Sequence, residues 1–477
     1  MLIHKKEKED KMATIFEEQI QKIPQLNRRD AIKQLGLLST APYLFTQEAK
    51  ASSNPKKTNA KIVIIGGGAG GICVAARLTS ELDNPDITII EPGKKHIYQA
   101  GHTLVGGGII PASKITRTTK EFIPEGNKWI ETKATNVDPD KQTVELENGI
   151  TLQYDYLVVS PGLQYDWEKV EGLKADMIGK DGINSIYTLE GAQETWKNIQ
   201  SFSKTGGEAL FSHPATPIKC GGAPKKILYL MDDYMRQQGT REKANISFLP
   251  NSAKLFSVPV FEKAIEGHFK EREVAYNLKH NLVKVDADKK IATFKTQIKS
   301  KGAWDEDLEE YSEIIEDKFI SKPYDFLHVP PPMSAPDFLK GSKISWDKGS
   351  AKELGLVRVD KHTLQHPKYK NVFSLGDVAG IPIGKTGGTV RKQAPILVQN
   401  MLDVMAGREP SEKFNGYTVC PIVTGYGKVM LAEFDYSGKP TPTIPGIDPA
   451  AERWMWWIMK VYILEPMYFY GMLRGRA

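Results

Sequence analysis

The sequence predicts an α/β fold from three observations. The short apolar run Lys61-Ile62-Val63-Ile64-Ile65 leads straight into a glycine-rich loop at residues 66–71. A helical pattern from Ile72 to Leu82 and a second apolar run, Ile87-Thr88-Ile89-Ile90, then follow in strand–helix–strand order. Two later runs of the same kind, Tyr156-Leu157-Val158-Val159 and Val372-Phe373-Ser374-Leu375, each end in a glycine turn. Short continuous β-branched runs read as strands of a parallel sheet buried on both faces. At 477 residues the chain exceeds what one hydrophobic core usually organises, so two or three domains are expected.

The first glycine loop carries the most physical content. Gly66, Gly68 and Gly71 fit G-x-G-x-x-G within Gly66-Gly67-Gly68-Ala69-Gly70-Gly71. The first glycine makes the tight turn, the second lets backbone approach a pyrophosphate, and the third lets helix and strand pack closely. The helix N-terminus then presents free N–H groups and the positive end of its dipole to the phosphates. Glu91, at the end of the second strand, is placed to accept hydrogen bonds from ribose hydroxyls. A glycine motif alone is weak evidence, but strand, loop, helix, strand and acid all occur here in order.

Composition excludes several classes of function. A hydrophobic fraction of 40% with 26% charged residues suits a globular protein. The net charge of +6 is mild and evenly spread, which fits an anionic cofactor or membrane surface. No helix-turn-helix, RNA-recognition or zinc-finger pattern accompanies it, so no nucleic-acid partner is expected. The three cysteines, Cys73, Cys220 and Cys420, form neither a disulfide scaffold nor a CxxC, and no metal site is expected. Scattered cysteines are most often buried core residues, and Cys73, in the first helical turn, reads that way.

Two later motifs specify the cofactor by resemblance. Val372-Phe373-Ser374-Leu375-Gly376-Asp377 resembles the second FAD motif of two-dinucleotide-domain flavoproteins, in which the aspartate binds the ribityl chain. Tyr156-Leu157-Val158-Val159-Ser160-Pro161-Gly162 resembles their intervening strand-and-turn motif. The resemblance implies a glutathione-reductase-like α/β fold with two Rossmann-like dinucleotide-binding domains. It divides the chain into an FAD-binding domain in two parts, 60–180 and 345–415, around a second dinucleotide-fold domain at 181–344. Residues 416–477 follow as a C-terminal redox-cysteine and membrane-surface region. The expected cofactor-binding positions are Gly66, Gly68, Gly70, Gly71, Glu91, Gln99, Ala134, Ser160, Gly162, Gly376, Asp377 and Lys385. Lys385, at a predicted helix start, is placed to stabilise a reduced-flavin anion; a solvated loop lysine is the simpler alternative.

The inserted domain lacks its own phosphate loop. NADH-dependent relatives open this domain with a second G-x-G-x-x-G, whereas here the matching stretch runs from Ser212 through Pro214, Pro217 and Cys220 to Pro224. Three prolines and no glycine fingerprint make a poor pyrophosphate cradle, which argues against NADH as donor. The stretch presents Cys220 instead, among Lys219, Lys225 and Lys226 and ahead of a helix N-terminus. Such surroundings favour the thiolate.

At this point a more specific resemblance appears. Thr216-Pro217-Ile218-Lys219-Cys220-Gly221-Gly222-Ala223-Pro224 and Gly416-Tyr417-Thr418-Val419-Cys420-Pro421-Ile422-Val423-Thr424-Gly425-Tyr426 resemble the two redox-cysteine segments of sulfide:quinone oxidoreductases. Pro330-Pro331-Pro332-Met333, Gln365-His366-Pro367, Leu431-Ala432-Glu433-Phe434-Asp435-Tyr436 and the ending Met472-Leu473-Arg474-Gly475 are similar to the mitochondrial-type branch. The resemblance covers residues 60–477. It implies that hydrosulfide attacks a disulfide or sulfur bridge between Cys220 and Cys420 and leaves a persulfide on Cys420. Cys220, as thiolate, delivers two electrons to FAD and so to a membrane quinone. A small acceptor then takes the sulfane sulfur, or it leaves as polysulfide. Some members tether FAD through a further cysteine; none is present here, so the FAD is expected to be non-covalent. The flavin subunit of a flavocytochrome c sulfide dehydrogenase and a type II NADH:quinone dehydrogenase are the nearest alternatives. A catalytically silent FAD-binding protein or redox sensor is a third.

Both ends of the chain suggest a location. Residues 1–59 read as an export-signal-like segment and linker: Arg28-Arg29, a short apolar run from Leu35 to Phe45, and the small-residue site Ala49-Lys50-Ala51 resemble a twin-arginine signal. An ordinary surface helix with two solvated arginines is the alternative. The tail from Arg453, rich in Trp, Tyr and Met and broken by Glu465-Pro466, is too interrupted to span a bilayer. It reads as an amphipathic helical membrane-binding tail lying at the headgroup boundary, or as a stripe packed on the protein itself. The expected location is peripheral on the inner (plasma) membrane at its periplasmic face, or at the cytoplasmic face without the signal.

Overall fold

The apolar runs become the strands of two parallel sheets. The computed structural model describes residues 56–305 and 310–476. The arginine pair of the export-signal-like segment therefore lies outside the described residues. Along the chain, β1 (Lys61–Ile65), α1 (Ala69–Glu81), β2 (Asp86–Ile90), β3 (Lys128–Ile130) and β4 (Tyr156–Val159) build most of one sheet. β5 (Gly207–His213), α2 (Ala223–Gln237), β6 (Ala244–Pro250) and β7 (Phe326–His328) belong to a second. β8 (Val372–Ser374) returns to the first sheet and is followed by α3 (Gly387–Met405), and β9 (Thr418–Gly425) pairs antiparallel with β10 (Lys428–Phe434).

The first sheet has the order β8-β4-β1-β2-β3 and is parallel throughout. Ile62, Ile64, Ile87, Ile89, Leu157 and Val158 are fully buried within it, as expected of strands covered on both faces. The second sheet runs Ile183–Asn184, β7, β5, β6, Ala275–Tyr276, also parallel. The first sheet is complete only when β8 joins β4, more than 200 positions later in the chain, after the strands of the second sheet. α1 packs on α3, and Cys73 is buried on α1, where burial raises its thiol pKa.

The tail behaves differently from a surface stripe. Trp454 to Arg474 forms one succession of short helical turns, two of them π-helical, at Met459–Ile463 and Met467–Gly471. Pro466 lacks an N–H and cannot sustain a regular α-helical ladder, which accounts for the irregularity. Trp454, Met455, Trp456, Phe469 and Leu473 are buried within the chain. Phe469 stacks on Phe122 with ring centroids 5.4 Å apart, and the Tyr468 hydroxyl lies 2.7 Å from His96 Nε2. Arg117 pairs with the buried Glu465 at 3.3 Å. Much of the aromatic surface is thus spent on the protein's own core. Tyr462, Tyr470, Arg474 and Arg476 remain exposed. Among the described residues no helix is long and apolar enough to cross a membrane.

Candidate functional site

The glycine loop is built as the sequence requires. Gly66 has φ +99°, outside the range of ordinary side chains, and a Cβ on Gly71 would overlap the Gly66 carbonyl oxygen. A Cβ on Gly68 would meet no atom within 4 Å, so the loop faces open space where a pyrophosphate fits. The Glu91 carboxylate accepts the N–H groups of Gly67 at 2.8 Å and Gly93 at 2.6 Å. Burial raises its pKa against the pull of those bonds, and each oxygen keeps a lone pair for ribose hydroxyls. Ser160 closes the loop from the end of β4, its Oγ 3.2 Å from the Ile65 carbonyl. Gly376 donates its N–H to Gln393 on α3. Gly70 lies against Ser160 and Leu375, so β1, β4 and β8 deliver these residues to one edge of the sheet. These are residues that fit FAD. Gly162 turns with φ +76°, and Ala134 opens the strand after β3.

Lys385 sits just before the N-cap of α3, half-buried, with its ammonium on the carbonyls of Asp377 and Ala379. Burial lowers its pKa to about 8, opposed by Asp377. Its own carbonyl accepts the N–H of Cys220 at 2.8 Å, which ties the first cysteine to the second glycine motif.

The two cysteines meet at the N-terminus of α2. Cys220 stands two residues before the helix N-cap Gly222 with φ +52°, a conformation rare for a residue bearing a side chain and held only by its surroundings. Cys420 projects from β9, which lies alongside α2. A Cβ on Gly222 would lie 2.6 Å from Cys420 Sγ, so only glycine admits the second sulfur there. Lys226, one turn into the helix, places Nζ 3.3 Å from Cys220 Sγ and reaches both sulfurs. The Cys420 thiol, as donor, holds the Cys220 pKa well below the usual range against its burial, with help from Lys226 and Lys460. Cys420 is pushed the other way by that hydrogen bond and by burial. Burial works against the Lys226 charge, but the sulfurs outweigh it and hold its pKa up at about 12. The surroundings of the pair are therefore asymmetric: the shared hydrogen bond and the Lys226 ammonium favour the thiolate at Cys220, and the same bond with burial favours the thiol at Cys420.

A cavity of about 780 Å³ opens over Cys420. Its wall includes His213, Lys225, Lys254, Phe256, Thr418 and Tyr436. Lys225 is buried with its ammonium over the Phe248 ring, and burial lowers its pKa to about 8.

Several of these placements depart from what the local sequence suggests. Lys219, adjacent to Cys220, turns away to Gln99 at 2.5 Å and to the face of Tyr165, while Lys226 does the electrostatic work. Gln99 is thereby occupied by a protein partner. Lys460, counted with the tail, is buried on the Ala100 carbonyl at 2.8 Å and contributes to the field at Cys220. Burial lowers its pKa to about 7. A lysine inside an otherwise aromatic stripe was the only sequence trace of this role.

Comparison with known proteins bears on the family and the fold. A family model for pyridine nucleotide-disulphide oxidoreductases matches residues 60–199. The mitochondrial sulfide:quinone oxidoreductase of Dictyostelium discoideum is 40% identical over 421 residues, covering 88% of this chain and 87% of that protein. The mitochondrial enzyme of Mus musculus is 39% identical over 419 residues, with the same coverage of each chain. The crystal structure of the sulfide:quinone oxidoreductase from Aquifex aeolicus superposes with a TM-score of 0.69 at 20% identity, covering 88% of this chain and 92% of that one, a likeness of fold.

Proposed function

This chain belongs to the sulfide:quinone oxidoreductase family, and from that premise we propose that it oxidises hydrosulfide at the Cys220–Cys420 pair and reduces a quinone through FAD. The observation that carries the reading is the meeting of Cys220 and Cys420 at the N-terminus of α2, with Lys226 Nζ 3.3 Å from the Cys220 sulfur and the Cys420 sulfur against Gly222. Hydrosulfide attacks the Cys420 sulfur of the oxidised pair, forming Cys420–S–SH and releasing Cys220 as thiolate. Exchange is faster when the departing thiol has the lower pKa, and Lys226 with the helix N-terminus supplies that stabilisation. Gly66, Gly68, Gly70, Gly71, Glu91, Ser160, Gly376 and Asp377 would hold FAD without a covalent bond, with Gln99, Ala134, Gly162 and Lys385 beside them. When bound, FAD supplies a two-electron carrier between thiol and quinone.

The cavity over Cys420 is the place for a small sulfur acceptor, whose nucleophilic sulfur meets the persulfide there. Lys225 and Lys254 on its wall favour an anionic acceptor. The exposed Tyr462, Tyr470, Arg474 and Arg476 rest on a membrane surface from which the quinone arrives. Because much of the rest of the tail is core, the discriminating variant is Tyr462→Glu with Tyr470→Glu, not a deletion. It should stop co-sedimentation with anionic vesicles while FAD stays bound; undiminished sedimentation would place the contact elsewhere.

Anaerobic titration of the purified protein tests the whole reading. Sulfide should bleach the flavin and a short-chain quinone should restore its colour. Rapid bleaching by NADH instead of sulfide would favour a dehydrogenase.

A further inference from the structure

We propose that His213 relays a proton from a thiol acceptor to the departing Cys420 sulfur, which makes it a catalytic residue of the sulfur-transfer half-reaction. The inference rests on the reading of the cavity over Cys420 as the acceptor site. His213 is the last residue of β5, and its ring forms part of the same wall that exposes Cys420. No resemblance in the sequence pointed to it.

The orientation of the ring sets its chemistry. His213 Nδ1 lies 3.2 Å from the Pro214 carbonyl oxygen. A carbonyl only accepts, so Nδ1 carries the hydrogen and Nε2 keeps its lone pair. Nε2 points toward the turn that follows Cys220: a Cβ on Gly221 would lie 4.0 Å from it. Nε2 makes no hydrogen bond with any described residue. Burial, with the Lys225 ammonium beside it, lowers the His213 pKa to about 4, so the ring enters the reaction unprotonated.

The transfer step needs such a group. A thiol R–S–H attacks the outer sulfur of Cys420–S–SH; the new R–S–SH bond forms and the Cys420 S–S bond breaks. The proton of the acceptor passes to Nε2 as its sulfur becomes a nucleophile. The departing Cys420 thiolate favours that imidazolium as it develops. Cys420, whose pKa is raised by the Cys220 hydrogen bond and burial, then takes the proton and ends as a thiol. The products are R–S–SH and Cys420–SH, and no oxidant or co-reactant is consumed. Sulfite has no S–H proton to surrender, and the acidic hydrogen thiosulfate it forms, HS–SO3−, supplies the Cys420 proton directly, leaving thiosulfate.

The experiment compares 2-mercaptoethanol with sulfite as acceptor in the FAD-loaded enzyme with a short-chain quinone. His213→Gln keeps an acceptor in the cavity but cannot carry a proton, and His213→Phe keeps the ring shape. Both should lose kcat/KM with the thiol by about 100-fold, at least tenfold more than with sulfite. Equal losses with the two acceptors, or none, would overturn the relay. Ala253→Trp, which fills the same cavity, separates this from failure of the site itself. An unchanged KM for both acceptors in that variant would remove the acceptor site and the relay together.

Discussion

Replacing Lys226 by methionine tests the asymmetry of the cysteine pair. The ammonium is 3.3 Å from Cys220 Sγ and only 2% exposed, and methionine fills a similar volume without charge. At an effective dielectric of about 20, a unit pair at this distance interacts by about 5 kcal/mol, an upper limit. Losing the buried lysine also removes its desolvation cost, so the net effect belongs to the scale of a charged hydrogen bond, about 1.5–3 kcal/mol. That corresponds to a roughly 10- to 150-fold slower release of Cys220 as thiolate. Anaerobic stopped-flow mixing with sulfide reads this as slower flavin bleaching. Alkylation of the reduced protein by iodoacetamide reads it without turnover. Because Lys226 lowers the Cys220 pKa, its removal should move the alkylation profile to higher pH. A variant with the parental bleaching rate and an unshifted profile would refute the assignment of Lys226 and of Cys220 as the thiolate.

Other outcomes follow from the same geometry. Cys220→Ser and Cys420→Ser should each abolish sulfide-driven bleaching with FAD retained, and the double variant should be no worse, since residues acting as a unit are non-additive; Cys73→Ser, on the buried face of α1, should turn over normally. Gly71→Val should yield protein without yellow colour, because its side chain would occupy the space of the Gly66 carbonyl; a fully loaded variant would contradict the close packing of α1 on β1. Phe469→Ala should cost about 3–5 kcal/mol, as expected for emptying a fully buried aromatic site, and should be visible as a lower Tm and faster proteolysis of the tail. Unaltered protease resistance would mean that the Phe122–Phe469 contact does not hold the tail.

Local chemistry was legible in the sequence. The loop from Gly66 to Gly71 announces a phosphate cradle because its function depends on contiguous residues: a strand end, a turn that needs glycine, and a helix start. The same holds for the missing cradle between Ser212 and Pro224. The site around the sulfurs was legible only in part. Cys220 and Cys420 were paired because their flanking segments resembled a known family, since no spacing rule relates residues so distant in the chain. Which lysine serves Cys220 was not decided by adjacency. The turn at Cys220 throws Lys219 toward Gln99, while one turn of α2 brings Lys226 back over the sulfur. Lys460 and His213 reach the site from the tail and from β5, and only the packing of separate elements puts them there. The tail shows the limit most clearly. A stripe of Trp, Tyr and Met has the same composition whether it meets lipid or protein, because apolar burial is non-directional. Tertiary packing decided it, residue by residue: Phe469 and Leu473 went to the core, and Tyr462 and Tyr470 were left outside.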